Sequence, residues 1–252
     1  MKPRVIAAIL SLMLAGIPAM AQAPQSLEAK AASLPSVDQL LDKYIQALGG
    51  KAAIEKLTSR VSKGTFEAPD QGVSGSVENY AKAPNKTATV VDVPGFGLVR
   101  QGFDGAVGWA ENPQTGLREM TGQELSITRR TAEFHGVLKL RELYPKMTLK
   151  GKQKVGDREA YLVEADAGDG TFRRMYFDVQ TGLLVRNEIE RETLQDRATF
   201  QNDLEDYREV DGVKVPFTVR QTNPNISFVV KLTEVRHNVP IDDARFAKPA
   251  AQ

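Results

Sequence analysis

From Ser59 onward the chain reads as short runs rich in Val, Thr, Phe and Tyr, cut by Gly, Pro, Asn or Asp about every ten residues. That rhythm predicts antiparallel β-structure. The clearest unit is 171–190, where two strand-like runs, 171–177 and 183–189, flank Asp178-Val179-Gln180-Thr181-Gly182. An Asp followed by a Gly suits a short hairpin loop. Strict alternation puts Met175, Phe177, Leu183, Val185 and Ile189 on one face and Arg174, Tyr176, Arg186 and Glu188 on the other. Val213, Val215, Phe217 and Val219 alternate with Lys214, Pro216, Thr218 and Arg220, and Phe228, Val230 and Leu232 repeat the pattern, so these strands are apolar on one face only. Further strands are expected at 60–67, 73–81, 86–93, 98–103, 106–111, 117–120, 148–155, 160–165, 199–207 and 226–236.

Two stretches follow a helical period instead. Ser36 and Gln39 make a capping box, and Val37, Leu40, Leu41, Tyr44 and Leu48 form one apolar stripe that ends at Gly49-Gly50. A shorter turn at 51–57 presents Ala53, Ile54 and Leu57 inward. The second stretch, 121–143, opens with Thr121 and Glu124 as another expected capping box and carries Ile127, Phe134, Val137 and Leu138 near one face, with Gly136 weakening its middle. It interrupts the sheet and is expected to act as a lid. Together the elements predict an α+β fold: a large curved antiparallel sheet of about eleven strands with helices covering one side and a ligand in the concave interior.

Composition changes this picture little. The chain has 252 residues, 41% hydrophobic and 26% charged, which is ordinary for a globular protein. Its beginning reads as a secretory signal peptide over 1–23: Lys2 and Arg4, an apolar run at 5–17, then Ala19-Met20-Ala21 or Ala21-Gln22-Ala23 as the cleavage site. Residues 24–35 read as a flexible leader and 36–249 as the folded domain. The apolar run is shorter than the ~20 residues of a membrane span, so the mature protein is expected to be soluble and not membrane-spanning. Removing Lys2 and Arg4 leaves 31 basic residues of the 33 against 32 acids, which argues against a nucleic-acid partner. With no cysteine, disulfides, thiolate metal sites and lipidation are excluded.

Candidate chemistry is sparse. His135 and His237, the two histidines, lack a close second ligand, so no metal and no cofactor are expected; a solvated C-terminal turn accounts for Asp242-Asp243. No nucleophile elbow, phosphate loop or dinucleotide fingerprint occurs, and no enzyme activity is expected. Arg129-Arg130 and Arg173-Arg174 could meet acidic headgroups, although paired charges usually mark a solvated face. The larger apolar residues on inward faces, Phe66, Val91, Leu98, Trp109, Phe134, Phe177, Val215, Phe217 and Phe228, either line a ligand cavity or fill a core, and alternation alone does not separate the two.

The segments Leu34-Pro35-Ser36-Val37-Asp38 and Ala47-Leu48-Gly49-Gly50, then Tyr176-Phe177-Asp178 with Thr181-Gly182-Leu183-Leu184-Val185-Arg186, and finally Asp206-Tyr207-Arg208-Glu209-Val210-Asp211-Gly212 with Val213-Lys214-Val215-Pro216-Phe217, resemble the bacterial outer-membrane lipoprotein-sorting proteins, the LolA/LolB-like superfamily. The resemblance implies an incomplete antiparallel barrel with helices as a lid and a cavity for acyl chains. It also implies a monomeric periplasmic carrier or binding protein whose partner is a lipid or an acylated lipoprotein. Without a lipidation cysteine, a soluble carrier is the nearer comparison than a LolB-type acceptor. The alternative is an envelope sensor or scaffold that uses the same sheet to bind a protein partner.

Overall fold

The computed structural model describes residues 34–192, 197–223 and 226–250; the expected signal peptide and nearly all of the expected leader lie outside them. Helix α1 (Val37–Leu48) starts as its sequence dictates. Ser36 Oγ accepts the Gln39 N–H at 3.1 Å and Gln39 Oε1 accepts the Ser36 N–H at 2.9 Å, which satisfies two orphan donors reciprocally. The helix ends at Gly49, where φ is +125° and a Cβ would lie 2.0 Å from the Gly212 carbonyl oxygen. Only glycine lets the helix terminus come that close to the turn at 211–212. Helix α2 (Lys51–Glu55) follows, with Ile54 and Leu57 buried.

Thirteen strands follow among the described residues: β1 (Ser59–Ala68), β2 (Val73–Lys82), β3 (Lys86–Val93), β4 (Gly97–Phe103), β5 (Gly108–Asn112), β6 (Gly116–Glu119), β7 (Lys146–Val155), β8 (Arg158–Asp166), β9 (Phe172–Asp178), β10 (Leu184–Glu192), β11 (Arg197–Val210), β12 (Val213–Thr222) and β13 (Ser227–His237). They form one antiparallel sheet in the order β6-β5-β4-β3-β2-β1-β13-β12-β11-β10-β9-β8-β7. Two meanders are thus joined where β1 pairs with β13. The sheet is not closed, since β6 and β7 are its free edges and only the helical segment between them links the two in sequence. The α+β class and the incomplete barrel match expectation; the strand number exceeds the expected eleven. Edge strand β7 carries Lys146, Lys150, Lys152 and Lys154, charges that discourage pairing with another sheet.

Helix α3 (Gly122–Ala132) and helix α4 (Leu140–Leu143) occupy the mid-chain segment. The expected single helix is broken at 133–139, a run of turns around Gly136. The second capping box does not form. Thr121 makes no side-chain cap, and the Glu124 carboxylate, the reciprocal half of the box, pairs instead with Arg118 through two contacts at 2.7 Å.

Strict alternation also fails once in the central hairpin. Leu184 faces Phe177 and Arg186 faces Tyr176, so Val185 is an extra residue in a β-bulge. Leu184 therefore joins Met175 and Phe177 under α1, whereas Val185 goes to the opposite face with Ala160, Leu162 and Tyr176. Leu183, just before the strand, packs with Leu48, Ile54 and Val213 on the helix side.

A row of directly opposed residues, Met175, Asn187, Asn202, Gln221 and Phe228, crosses β9 to β13 and defines the inner face. On its β8–β10 part, α1 and α4 bury Leu40, Leu41, Leu140 and Tyr144 against Val163, Met175 and Phe177. The outer face of β1–β3 is covered differently. The C-terminal segment after β13 packs Ile241 and the fully buried Phe246 against Val61 and Ala88, and Asp243 accepts from Lys82 and Lys86 at 2.8 Å each. Asp242-Asp243 therefore belong to a docked segment, not merely a solvated turn.

Candidate functional site: an open cavity on the inner face

The inner face that the helices leave bare runs over β12, β13 and β1–β4. Its residues enclose a space of about 740 Å³. On β1 the row is Arg60, Ser62 and Phe66; opposite them on β2 lie Ala81, Asn79 and Gly75. Gly75 is required there: a Cβ would lie 2.6 Å from the Phe66 ring and 1.9 Å from the Asp92 carbonyl oxygen. The Phe66 ring meets Phe228 edge-on at 6.5 Å. Val91, Val93 and Val99 on one side and Val219, Val230 and Leu232 on the other extend an apolar wall, and these side chains are only partly buried.

A second space of about 410 Å³ lies under α1, α2 and the 130–144 segment and shares Arg60, Val215 and Pro216 with the first. Its lining is more polar. Tyr207 donates to the Leu184 carbonyl oxygen at 2.8 Å, and His135 donates from Nε2 to the Leu57 carbonyl oxygen at 2.9 Å. Burial pushes the Tyr44 hydroxyl up to about 12, partly offset by the charge of Arg173. Burial likewise lowers His237, more than the 3.1 Å contact from Nδ1 to Asp211 raises it, and the nearby Arg60 lowers it further. His237 is therefore a neutral imidazole near neutral pH.

The two arginine pairs split between faces. Arg130 lies 5.4 Å over the Tyr144 ring and pairs with Asp169 at 2.6 Å, while Arg129 is exposed. Arg173 lies 5.7 Å from the same ring and donates to Asn187, while Arg174 points outward to Glu164, Glu188 and Glu190. Arg60 differs from all of these. Solvent reaches it, yet the surrounding protein desolvates the guanidinium and holds it below its ordinary value.

Of the nine larger apolar candidates, Phe66, Val91, Val215 and Phe228 border the large space, and Phe134 and Val215 border the smaller one. Phe177, 1% exposed, lies in the filled core at 5.2 Å from Tyr44. Phe217 is buried beside Val215 and Val235, with Arg208 4.5 Å from its ring. Leu98 is 45% exposed. Trp109 packs across Gly102 on the outer face and donates to the Phe246 carbonyl oxygen at 2.9 Å. Arg60 was not a candidate, although alternation from Phe66 through Gly64 and Ser62 places it in the same row.

Among the described residues there is no group of three or more His, Asp or Glu able to hold a metal ion. No helix among them is long and apolar enough to cross a membrane.

No family model and no curated protein matches the chain in sequence. Solved structures do. A LolA superfamily protein from Nitrosomonas europaea superposes with a TM-score of 0.56 at 14% identity, covering 85% of this chain and 99% of that one. The chain has a LolA-like fold. A DUF1329 family protein from Desulfovibrio piger gives 0.58 at 14% identity, covering 85% and 98%. An outer membrane lipoprotein-sorting protein domain from Vibrio parahaemolyticus gives 0.54 at 12% identity, covering 84% and 98%. At such identities the likeness is one of fold.

Proposed function

We infer that this protein is a carrier or binding protein for a lipid or acylated partner, working in the periplasm. The observation that carries this reading is the uncovered apolar wall of β12, β13 and β1–β4 around about 740 Å³. Ligand sites span roughly 300–1,000 Å³ and are lined mainly by apolar and aromatic groups. The filled parts of the inner face have helices packed on them, and this part does not. Binding would proceed by exclusion of water: each buried methylene contributes about 0.8 kcal/mol, less the cost of association. The LolA-like fold and the lipoprotein-sorting neighbour support the same reading, and the signal-like beginning of the chain supports export.

Native mass spectrometry of protein purified without detergent tests it. A co-purifying lipid, or uptake of an added fatty acid by the delipidated protein, is the expected result. Protein that is empty and refuses added lipid would overturn the carrier and favour a scaffold that binds another protein.

A further inference from the structure

The cavity is not uniformly greasy. Arg60 stands where its two spaces meet, in the same row as Phe66 and bordering both. Among the described residues its guanidinium has no carboxylate partner and no side-chain hydrogen bond, and its titrating neighbour across the junction is His237, which burial and the like charge of Arg60 hold in the neutral form. The other charges facing these spaces are largely answered. Arg130 has Asp169 at 2.6 Å and Glu133 has Lys139 at 3.0 Å. His237 is neutral beside Asp211. Arg173 is held by the uncharged amide of Asn187, and the exposed Lys214 adds another positive charge at the margin. The junction therefore carries an excess of positive charge next to an apolar wall. Arg60 is exposed to solvent, so what it offers is an unanswered donor fork beside an apolar wall, to which an anion with a hydrocarbon chain can make charge-assisted hydrogen bonds while its chain leaves water.

We propose that the cavity binds a single-chain anionic amphiphile, with its hydrocarbon chain along the Phe66 and Phe228 wall and its carboxylate or phosphate on Arg60. This rests on the lipid-binding reading above and narrows it. An ester or amide linkage brings no charge at the end of the chain and leaves Arg60 unmatched unless the rest of the lipid carries a phosphate; a free fatty acid or an alkyl phosphate bears its anion directly at the chain's end.

Calorimetric titration of the delipidated protein at pH 8 compares laurate and dodecyl phosphate with dodecanol, which has the same chain and no charge, and with butyrate and inorganic phosphate, which have the head and little or no chain. Laurate or dodecyl phosphate is expected to bind about tenfold or more tightly than dodecanol, and Arg60→Gln to remove most of that difference. Arg60→Lys, which keeps the charge, is expected to lose less. Circular dichroism verifies folding of each variant, and the comparison of the three chains on the unaltered protein decides the matter even where a variant fails to fold. Equal affinity for laurate, dodecyl phosphate and dodecanol overturns the anion site and leaves the carrier reading standing. Inorganic phosphate binding as tightly as dodecyl phosphate overturns it in favour of a free-anion site. No binding of any chain overturns both.

Discussion

The Tyr207 hydroxyl donates to the main-chain carbonyl oxygen of Leu184 at 2.8 Å, joining β11 to the residue that precedes the Val185 bulge. Pairing of β10 with β11 starts only at Arg186, so Leu184 lies beyond that ladder and a side chain completes what the backbone leaves open. Burial, reinforced by repulsion from Tyr44, pushes the Tyr207 hydroxyl far above its ordinary range, so it remains a donor throughout the accessible pH range. Tyr207→Phe keeps the ring and removes the bond. It is expected to lower stability by about 1–2 kcal/mol, read as a shift of the urea midpoint at constant slope. An unchanged midpoint would mean that solvent already serves the Leu184 carbonyl.

The hairpin between β9 and β10 depends on Asp178. Its Oδ1 accepts from the N–H of Gln180 at 3.0 Å, the N–H of Thr181 at 2.7 Å and the Thr181 hydroxyl at 2.9 Å. Burial raises this carboxyl, but the hydrogen bonds from Thr181 and Gln180 and the charge of Arg158 outweigh it, so the group ends below 3.8. A depressed carboxylate adds stability that is complete above the unfolded value and is lost as pH falls through the folded one. Asp178→Ala is thus expected to destabilise by about 1–2 kcal/mol at pH 7 and by less in acid below pH ~3. Thermal unfolding from pH 2 to 7 would show the two curves converging at the acid end. Parallel curves would exclude the charge of Asp178 as the cause.

Phe177 and Phe228 separate core from cavity. Phe177 is buried under α1, whereas Phe228 is partly exposed on the bare wall. Phe177→Ala is expected to cost about 3–5 kcal/mol in urea unfolding because the hole cannot collapse. Phe228→Ala is expected to cost under ~1.5 kcal/mol and to weaken laurate uptake several-fold instead. Equal loss of stability in the two variants would show the wall to be part of a packed core.

The 133–143 segment stands over the smaller space, fastened by the Phe134 N–H to the Pro84 carbonyl oxygen and by His135 to the Leu57 carbonyl oxygen, each at 2.9 Å. Its helix α4 has four residues, so its order comes from packing and not from helix propensity. Hydrogen exchange in this segment is expected to be faster than in β12 without ligand and to slow on adding laurate by more than β12 does. Exchange as slow as that of β12 from the start would rule out a lid.

By itself the sequence determined the elements, because what starts and stops them is local. Ser36 with Gln39, Gly49, and the Asp178 to Gly182 turn act within a few residues, and the alternation of Val213, Val215 and Phe217 needs no partner to be recognised. Tertiary structure decided the faces and their covers. One extra residue at Val185 reverses part of a strand, and a bulge is invisible to a period of two. Glu124 had two available partners, and Arg118 on the neighbouring strand won over the helix cap. Whether an inward phenylalanine is core or cavity wall depends on what lies above it: α1 over Phe177 and open space over Phe228. The standing of Arg60 is decided the same way, because the absence of a counterion among the described residues is a property of β2, β12 and β13 brought around it, and no spacing along β1 records that.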